Sequence, residues 1–437
     1  MYNYFVKCDI SGIQQFIFDV ASDGAARELK KRSAYVQKIA DDCYKVLKEF
    51  FGNNVDLVYN GGGNFCFEAM NSAKTKEDLS VFIKQLQEKY LKKDIFPFIA
   101  FIDRDTDNIS NLLNAISQEL KKRKHQRPVW CAPFHVEAVE MKDVGEMKGV
   151  NGQVPKGDFN DIAERSTGAI KLAALKLDVD NLGALFRDRT REEYKKLSEA
   201  LKKFFGDDLK QLIETEKMQQ YIYVVFSGGD DCFLVGTWEK IFDFAITLRQ
   251  KFREFQEKLR KDIGLKLDKD DKDITFSAGL IVVHPKYPML RLSEEVEEAL
   301  SASKSADCKD SINCFGKSLR WNEFEKSQKI ALQLFDLVKN KGESNSLIER
   351  IKLSSIGFAK IQQDAQKGRM NLPKVWRLKY YLRNVRAENR IEIEKLFEEY
   401  SNAIVKTFLN KSDEKVTNPY LFPIAARWAE LLLKKES

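Results

Sequence analysis

Tyr223-Val-Val-Phe-Ser227-Gly228-Gly229-Asp230-Asp231-Cys-Phe-Leu234 reads as two apolar, β-prone runs joined by a turn of small and acidic residues, the pattern of a hairpin. The run Leu172-Ala-Ala-Leu-Lys-Leu-Asp178-Val-Asp180-Asn-Leu-Gly-Ala-Leu-Phe186 begins some way before it, an apolar strand that ends at an aspartate and runs into a helix. The same pair occurs earlier in the chain. Tyr4-Phe-Val-Lys-Cys-Asp9-Ile-Ser-Gly-Ile-Gln-Gln-Phe16 is the strand, and Leu57-Val-Tyr-Asn-Gly61-Gly62-Gly63-Asn64-Phe-Cys-Phe67 is the hairpin. First aspartate and first turn glycine are 52 residues apart in the first copy and 50 in the second.

Working outward, each copy continues with an amphipathic helix (near 76–93 and 238–262), a buried strand (96–103 and 274–283) and a further helix (near 108–124 and 290–305). The shared order, β-α-β-β-α-β, is a ferredoxin-like unit present twice. The fold class is therefore α+β. We expect one unit over 1–125, a linker over 126–170 with a Gly-rich loop at Gly149–Gly157, a second unit over 171–320, and a helical bundle of about four helices over 321–437. In such a unit the end of the first strand and the central hairpin lie side by side.

Composition narrows the function. The chain has 437 residues, 43% of them apolar, enough for two to four globular domains. No apolar run approaches the roughly 20 residues that span a bilayer, and the N-terminus is not a signal peptide, so we expect a soluble, cytoplasmic protein and no membrane partner. The seven cysteines lack paired spacing and no Cys-x-x-Cys occurs, which speaks against a disulfide framework and against a zinc ribbon. Only His125, His135 and His284 are present, with no His-x-x-x-His, which excludes histidine-rich metal hydrolysis. Net charge is +7; the residues from Lys317 onward hold 24 Lys/Arg and 15 Asp/Glu, so the excess sits in the C-terminal part. Its densest stretch, Lys374 to Arg386, interleaves cations with Trp376, Tyr380 and Tyr381, either a solvated helix face over an aromatic core stripe or a surface for an anionic partner.

The two copies differ where chemistry would occur. The second offers Asp178, Asp180, Asp230 and Asp231; the first offers Asp9 facing Gly63 and Asn64. Carboxylates gathered from a strand end and a turn repel one another unless cations neutralise them. Hard divalent ions such as Mg²⁺ or Mn²⁺ take carboxylates together with substrate phosphates, and Asp178, Asp230 and Asp231 are the candidate metal ligands and catalytic residues. Gly228 and Gly229 would let backbone approach a nucleotide. Lys304, late on the last helix, is placed to reach a triphosphate, with Lys309 just beyond it. Gly61, Gly62 and Gly63 keep the turn without the ligands, so the first copy is either a purely structural remnant or a second nucleotide seat; the retained glycines favour the seat. Ser33 and Ser198 lie on the helix after each first strand, where they either face a base or sit on a solvated surface.

These motifs, with Ser303-Lys304, Lys309-Asp-Ser-Ile-Asn-Cys-Phe-Gly316, Arg320-Trp321-Asn-Glu-Phe324 and Ala425-Ala-Arg-Trp428, resemble the large subunit of type III CRISPR–Cas effector complexes, closer to the Csm (III-A) than to the Cmr (III-B) form. The resemblance implies two Palm domains that form a composite site for two ATP molecules. The second would use Asp178, Asp230 and Asp231 to hold Mg²⁺ or Mn²⁺, with Gly228 and Gly229 shaping the turn. The product would be cyclic oligoadenylate, a second messenger of antiviral defence, made when the complex captures target RNA. It further implies that Ser33 and Ser198 contact adenine, and that the partners are other effector subunits, guide crRNA and target RNA. Two departures from the family pattern lead us to expect neither the N-terminal HD nuclease nor a zinc site, the first Palm starting at the N-terminus and the linker holding Cys131 alone. Two other outcomes stay open: a synthase that joins ATP to S-adenosylmethionine on the same fold, and a catalytically silent scaffold.

Overall fold

The computed structural model describes residues 2–21, 24–52, 54–61, 63–91, 94–106, 108–125, 158–182, 190–263, 274–305, 309–358, 360–361, 364, 367, 376–409 and 418–434. Gly62, Cys131, most of the expected linker including its Gly-rich loop, and Lys374 at the start of the basic stretch lie outside these residues.

The first unit builds a four-stranded antiparallel sheet from β1 (Tyr2–Ser11), β2 (Val55–Gly61), β3 (Asn64–Ser72) and β4 (Phe96–Asp103), in the order β2-β3-β1-β4. Helices α1 (Ile13–Phe18), α2 (Ala25–Phe51) and α3 (Lys76–Glu88) connect them, and α4 (Ile109–His125) follows. Helix α3 starts where Thr75 and Asp78 satisfy each other's backbone N–H groups. Alternation along β1 splits its side chains between two cores. Tyr4, Val6, Cys8 and Ile10 face α1–α3, whereas Phe5 faces a second core with Leu112 and Ile116 of α4.

The second unit repeats the plan with β5 (Leu172–Val179), β6 (Ile222–Gly228), β7 (Asp231–Thr237) and β8 (Phe276–Val283), in the order β6-β7-β5-β8. Short helix α5 (Phe159–Ala163) precedes it, α6 (Arg191–Lys203) and α7 (Leu209–Thr215) lie between β5 and β6, and α8 (Trp238–Ile263) joins β7 to β8. After α9 (Met289–Lys304) the sheet gains two strands that the duplicated pattern did not foretell, β9 (Ser311–Cys314), parallel to β8, and β10 (Lys317–Arg320). The motif from Lys309 to Gly316 thus contains β9, which lies between β8 and the edge strand β10, on the side of β5 away from the β6–β7 hairpin.

Helices α10 (Trp321–Lys339), α11 (Ser346–Ser354), α12 (Trp376–Tyr381), α13 (Arg390–Leu409) and α14 (Leu421–Leu433) are the described C-terminal helices. They share the core of the second unit. Phe242 of α8 meets Trp428 of α14 at 4.5 Å, and the buried Trp321 indole donates to the Phe276 carbonyl at 3.0 Å. No described helix is long and apolar enough to cross a membrane.

The two units pack reciprocally. Phe18 of α1 touches Phe233 of β7 (4.8 Å), and the buried Tyr223 hydroxyl donates to the Ala26 carbonyl (2.7 Å), so one apolar core runs from the first helical layer onto the second sheet. In the other direction α6 lies over β2. Arg191 and Lys195 pair with Asp56 (2.5 and 2.7 Å), Arg191 also reaches the buried Glu68 (2.9 Å), which Arg104 joins at 3.2 Å, and Lys202 donates to the Asn60 carbonyl at 2.9 Å. The Asp56 pairs are partly exposed and each is worth at most about 1 kcal/mol. Asp56→Lys is expected to speed amide exchange in 191–203 several-fold, and Asp56→Lys combined with Lys195→Asp to restore most of the protection; equal exchange in parent and single variant would show that this clamp does not hold α6.

Candidate active site

Strand register brings the acidic residues together. Asp178 on β5 stands directly across from Asp231 on β7, and Gly228 faces Asp231 across the turn. Opposed residues of this kind have Cβ atoms about 4.5–5.5 Å apart. The Val179 amide donates to the Asp230 carbonyl at 3.0 Å, which ties the turn to the end of β5. In the first unit Asp9 faces Asn64, Gly61 faces Asn64, and the Ile10 amide donates to the Gly63 carbonyl at 3.2 Å. Asn64 therefore occupies the place of Asp231, and Gly63 that of Asp230.

Two features of this repeat went unread in the sequence. Lys124, near the end of α4, pairs with Asp9 at 2.5 Å, as Lys304, at the end of α9, pairs with Asp178. Lys7 and Lys176 each stand two residues before the strand aspartate, and Lys176 pairs with Glu297. Aligning the two copies residue by residue is the signal that would have found all three lysines.

Two cavities lie between the units, related by the same pseudo-symmetry. One, of about 270 Å³, has Ser33 and Gln37 of α2 on one side, Phe226, Ser227 and Gly228 on the other, with Gly63, Lys176 and Asp231 at its ends. The other, of about 600 Å³, has Ser198 and Lys202 of α6 facing Tyr59, Asn60 and Gly61, with Lys7, Asn64 and the turn from Gly228 to Asp231 around it. Each serine thus looks across to the hairpin of the other unit, which the intra-copy spacing did not reveal. Ser227 Oγ and Asn60 Oδ1, at equivalent places in the two hairpins, are buried without a hydrogen-bond partner in the chain. Lys309 donates to Asn181 Oδ1 at 2.6 Å.

Electrostatics at the turn favour a cation. Burial first, then Asp230, push the Asp231 carboxyl up to about 7, with Lys176 opposing. Burial and Asp178 raise Asp230; burial raises Asp178 against the pull of Lys304. The donors are all carboxylate oxygens, the set that suits Mg²⁺ or Mn²⁺, and at Gly228 and Gly229 a Cβ would meet nothing within 4 Å, leaving room at the turn. The ammonium of Lys304 pairs with Asp178. In this arrangement no three His, Cys, Asp or Glu side chains among the described residues stand close enough together to hold a metal ion. Asp180 departs from the expected cluster: it is 4% exposed and turned into the protein, where Thr275, Ser277 and the Asp310 amide all donate to it.

Comparison with known proteins agrees with this architecture. Residues 2–128 match the Csm1 subunit domain B and residues 171–313 the second palm domain of Cas10/Cmr2. The single-strand-specific deoxyribonuclease Cas10/Csm1 (subtype III-A) of Enterococcus italicus is 22% identical over 401 residues, covering 66% of this chain and 51% of its own length, so the chain spans about half of that relative. Crystal structures of a Csm1–Csm4 cassette with pppApApA and with cA4 superpose with TM-scores of 0.66 and 0.65 at 17% and 18% identity, covering 99% of this chain and 69% and 70% of theirs. Matched over residues 2–128 and 171–313 and similar along nearly the whole fold, the chain is a homologue of the Cas10/Csm1 proteins of CRISPR subtype III-A.

Proposed function

We propose that the chain is the nucleotidyltransferase of a type III-A effector ribonucleoprotein and joins ATP into cyclic oligoadenylates when guide crRNA captures target RNA. The observation that carries this reading is the pair of cavities meeting at one acidic turn. Gly228 and Asp231 line both, so nucleotides in the two seats would be neighbours at the only turn of the pair that keeps its carboxylates. Cassettes of similar fold crystallised with cA4 and pppApApA support the same chemistry.

In this reaction the 3′-oxygen of one ATP bonds to the α-phosphorus of the other as the bond to pyrophosphate breaks. Asp178, Asp230 and Asp231 would hold Mg²⁺ or Mn²⁺, which when bound lowers the pKa of the attacking hydroxyl and neutralises charge on the departing pyrophosphate. The chain's own contribution is placement. Gly228 and Gly229 admit phosphate close to the backbone, and Lys304 is the cation nearest to exchange Asp178 for a triphosphate. Ser33 and Ser198 face the two seats and would contact the bases, while Ser227 Oγ and Asn60 Oδ1 offer hydrogen bonds that the protein leaves open. Gly61, Gly62 and Gly63 would shape the seat of the first Palm. Csm4-type and other effector subunits are the proposed protein partners, and the cytoplasm the proposed compartment.

The test is the assembled complex with ATP, Mn²⁺ and target RNA, with and without S-adenosylmethionine, analysed by mass spectrometry. Cyclic oligoadenylate and pyrophosphate are expected in both. A product containing S-adenosylmethionine would replace the acceptor, and no metal-dependent turnover of ATP would leave a scaffold.

A further inference from the structure

The second aspartate of the Asp178-Val-Asp180 run is built into a different device from the first. Asp180 lies just past the end of β5, and its carboxylate accepts from Thr275 Oγ1 (2.8 Å), from Ser277 Oγ (2.8 Å) and from the backbone amide of Asp310 (3.0 Å). Three donors thus take up most of its roughly four lone-pair sites. Asp310 in turn pairs with Arg249 of α8 at 2.6 Å. Arg249 is 7% exposed, lies over the Phe276 ring, and leaves Nε and Nη1 without hydrogen-bond partners, so Asp310 is the carboxylate that compensates its buried charge.

This chain of contacts ends beside Lys309 and, through Ser311, at the end of α9 that carries Lys304. Lys309 and Asp310 both adopt left-handed backbone (φ +48° and +43°), a conformation uncommon outside glycine, which aspartate tolerates better than lysine. The Asp310 amide donates to Asp180 and its carboxylate forms an ion pair with Arg249, and these two contacts hold the segment at that point. Ser311 Oγ closes the segment onto the end of α9 by donating to the Ser303 carbonyl at 2.9 Å, next to Lys304. Lys304 reaches Asp178, and Lys309 reaches Asn181.

We propose that Arg249, Asp310 and Asp180 form a latch that sets the position of Lys304 and Lys309 for the triphosphate of a bound nucleotide, and that Asp180 is a positioning residue and not a metal ligand. The inference rests on reading the acidic turn as a nucleotide site.

The test compares Asp180→Asn, Arg249→Gln and their combination in the assembled full-length chain. An asparagine keeps the shape of Asp180 but offers one acceptor oxygen and no charge. Arg249→Gln acts from another helix and keeps the latch testable should Asp180→Asn fail to fold. Both single variants are expected to raise the KM for ATP roughly tenfold, the size of a lost charge-assisted contact, with kcat and the Mn²⁺ concentration for half-activation within about twofold of the parent. The combination should be no worse than Asp180→Asn alone, because both act through Asp310. Amide exchange over 303–314 should be faster in all three, a readout that needs no turnover. A tenfold higher Mn²⁺ requirement with unchanged KM in Asp180→Asn would make Asp180 a ligand and overturn the latch. So would parent-like KM and exchange in Arg249→Gln. Should the parent itself turn over no ATP, the nucleotide reading fails separately, and the exchange data alone decide whether the latch holds the segment.

Discussion

Changing Asp230 and Asp231 together to asparagine is expected to lower ATP turnover by at least about 10³-fold, the scale of losing the groups that hold charge at a reacting phosphate, while the chain becomes no less stable. The two effects have one cause. Asp231 carries a charge that its surroundings resist, through burial and through Asp230, and its carboxyl is raised to about 7; Asp230 and Asp178 are raised as well. A carboxyl that binds its proton more tightly when folded than when unfolded gives stability that is fully present below about pH 4, its unfolded value, and lost as the pH rises through about 7. The parent should therefore lose stability relative to the variant between pH 5 and pH 8. We expect roughly 2 kcal/mol, less than the full shift implies because the turn lines both cavities. Adding Mn²⁺ at pH 8 should stabilise the parent and leave the variant unchanged, since only the parent has a site to fill. Thermal unfolding at the two pH values, with and without Mn²⁺, reads all of this. Retained turnover, or a variant less stable than the parent at pH 8, would remove the carboxylates from the centre of the reaction.

The duplicated sheet was legible because a strand's register follows from its neighbours. Once Asp9 and Asp178 end equivalent strands and the hairpins lie 52 and 50 residues on, the opposition of Asp178 to Asp231 needs no further information. What depends on contacts between units was not legible. Ser33 faces the Phe226–Gly228 strand end of the second unit and Ser198 the hairpin of the first, because α2 and α6 cross between units. Asp180 shares the strand face of Asp178 by alternation, yet its donors Thr275 and Ser277 lie on a stretch nearly a hundred residues away, and they turn it from ligand to anchor. Strands β9 and β10, at four residues each, are too short for periodicity to show. The C-terminal helices read as a separate bundle because an amphipathic stripe says which face is buried and not against what; Trp428 and Trp321 are buried against the second palm.

The first unit cannot be made acidic by giving it the carboxylates of the second, and the expected failure of Gly63→Asp shows why. Gly63 has the backbone place of Asp230 but not its freedom. Its φ is +80°, and a Cβ there would lie 2.7 Å from Ile13 Cδ1 and 3.1 Å from Val36 Cγ1, atoms of the apolar layer shared by the two units. An aspartate would take on a left-handed conformation, displace Ile13 and place a charge among aliphatic side chains, for about 3 kcal/mol of destabilisation in all. Asn64→Asp, by contrast, strains no backbone; it sets a second carboxylate across from Asp9 at a half-buried position and should cost no more than about 1 kcal/mol, small beside Gly63→Asp. The pair of substitutions should therefore unfold like Gly63→Asp alone. Turnover should also drop at least about tenfold instead of doubling, since the displaced Ile13 and the new side chain both intrude on the smaller cavity, which Gly63 lines. Denaturant unfolding of the three variants, read beside ATP turnover, separates the outcomes. A doubly acidic first unit that folds like the parent and gains activity would mean that the packing of Ile13 and Val36 against Gly63 plays no part in keeping carboxylates out of this hairpin.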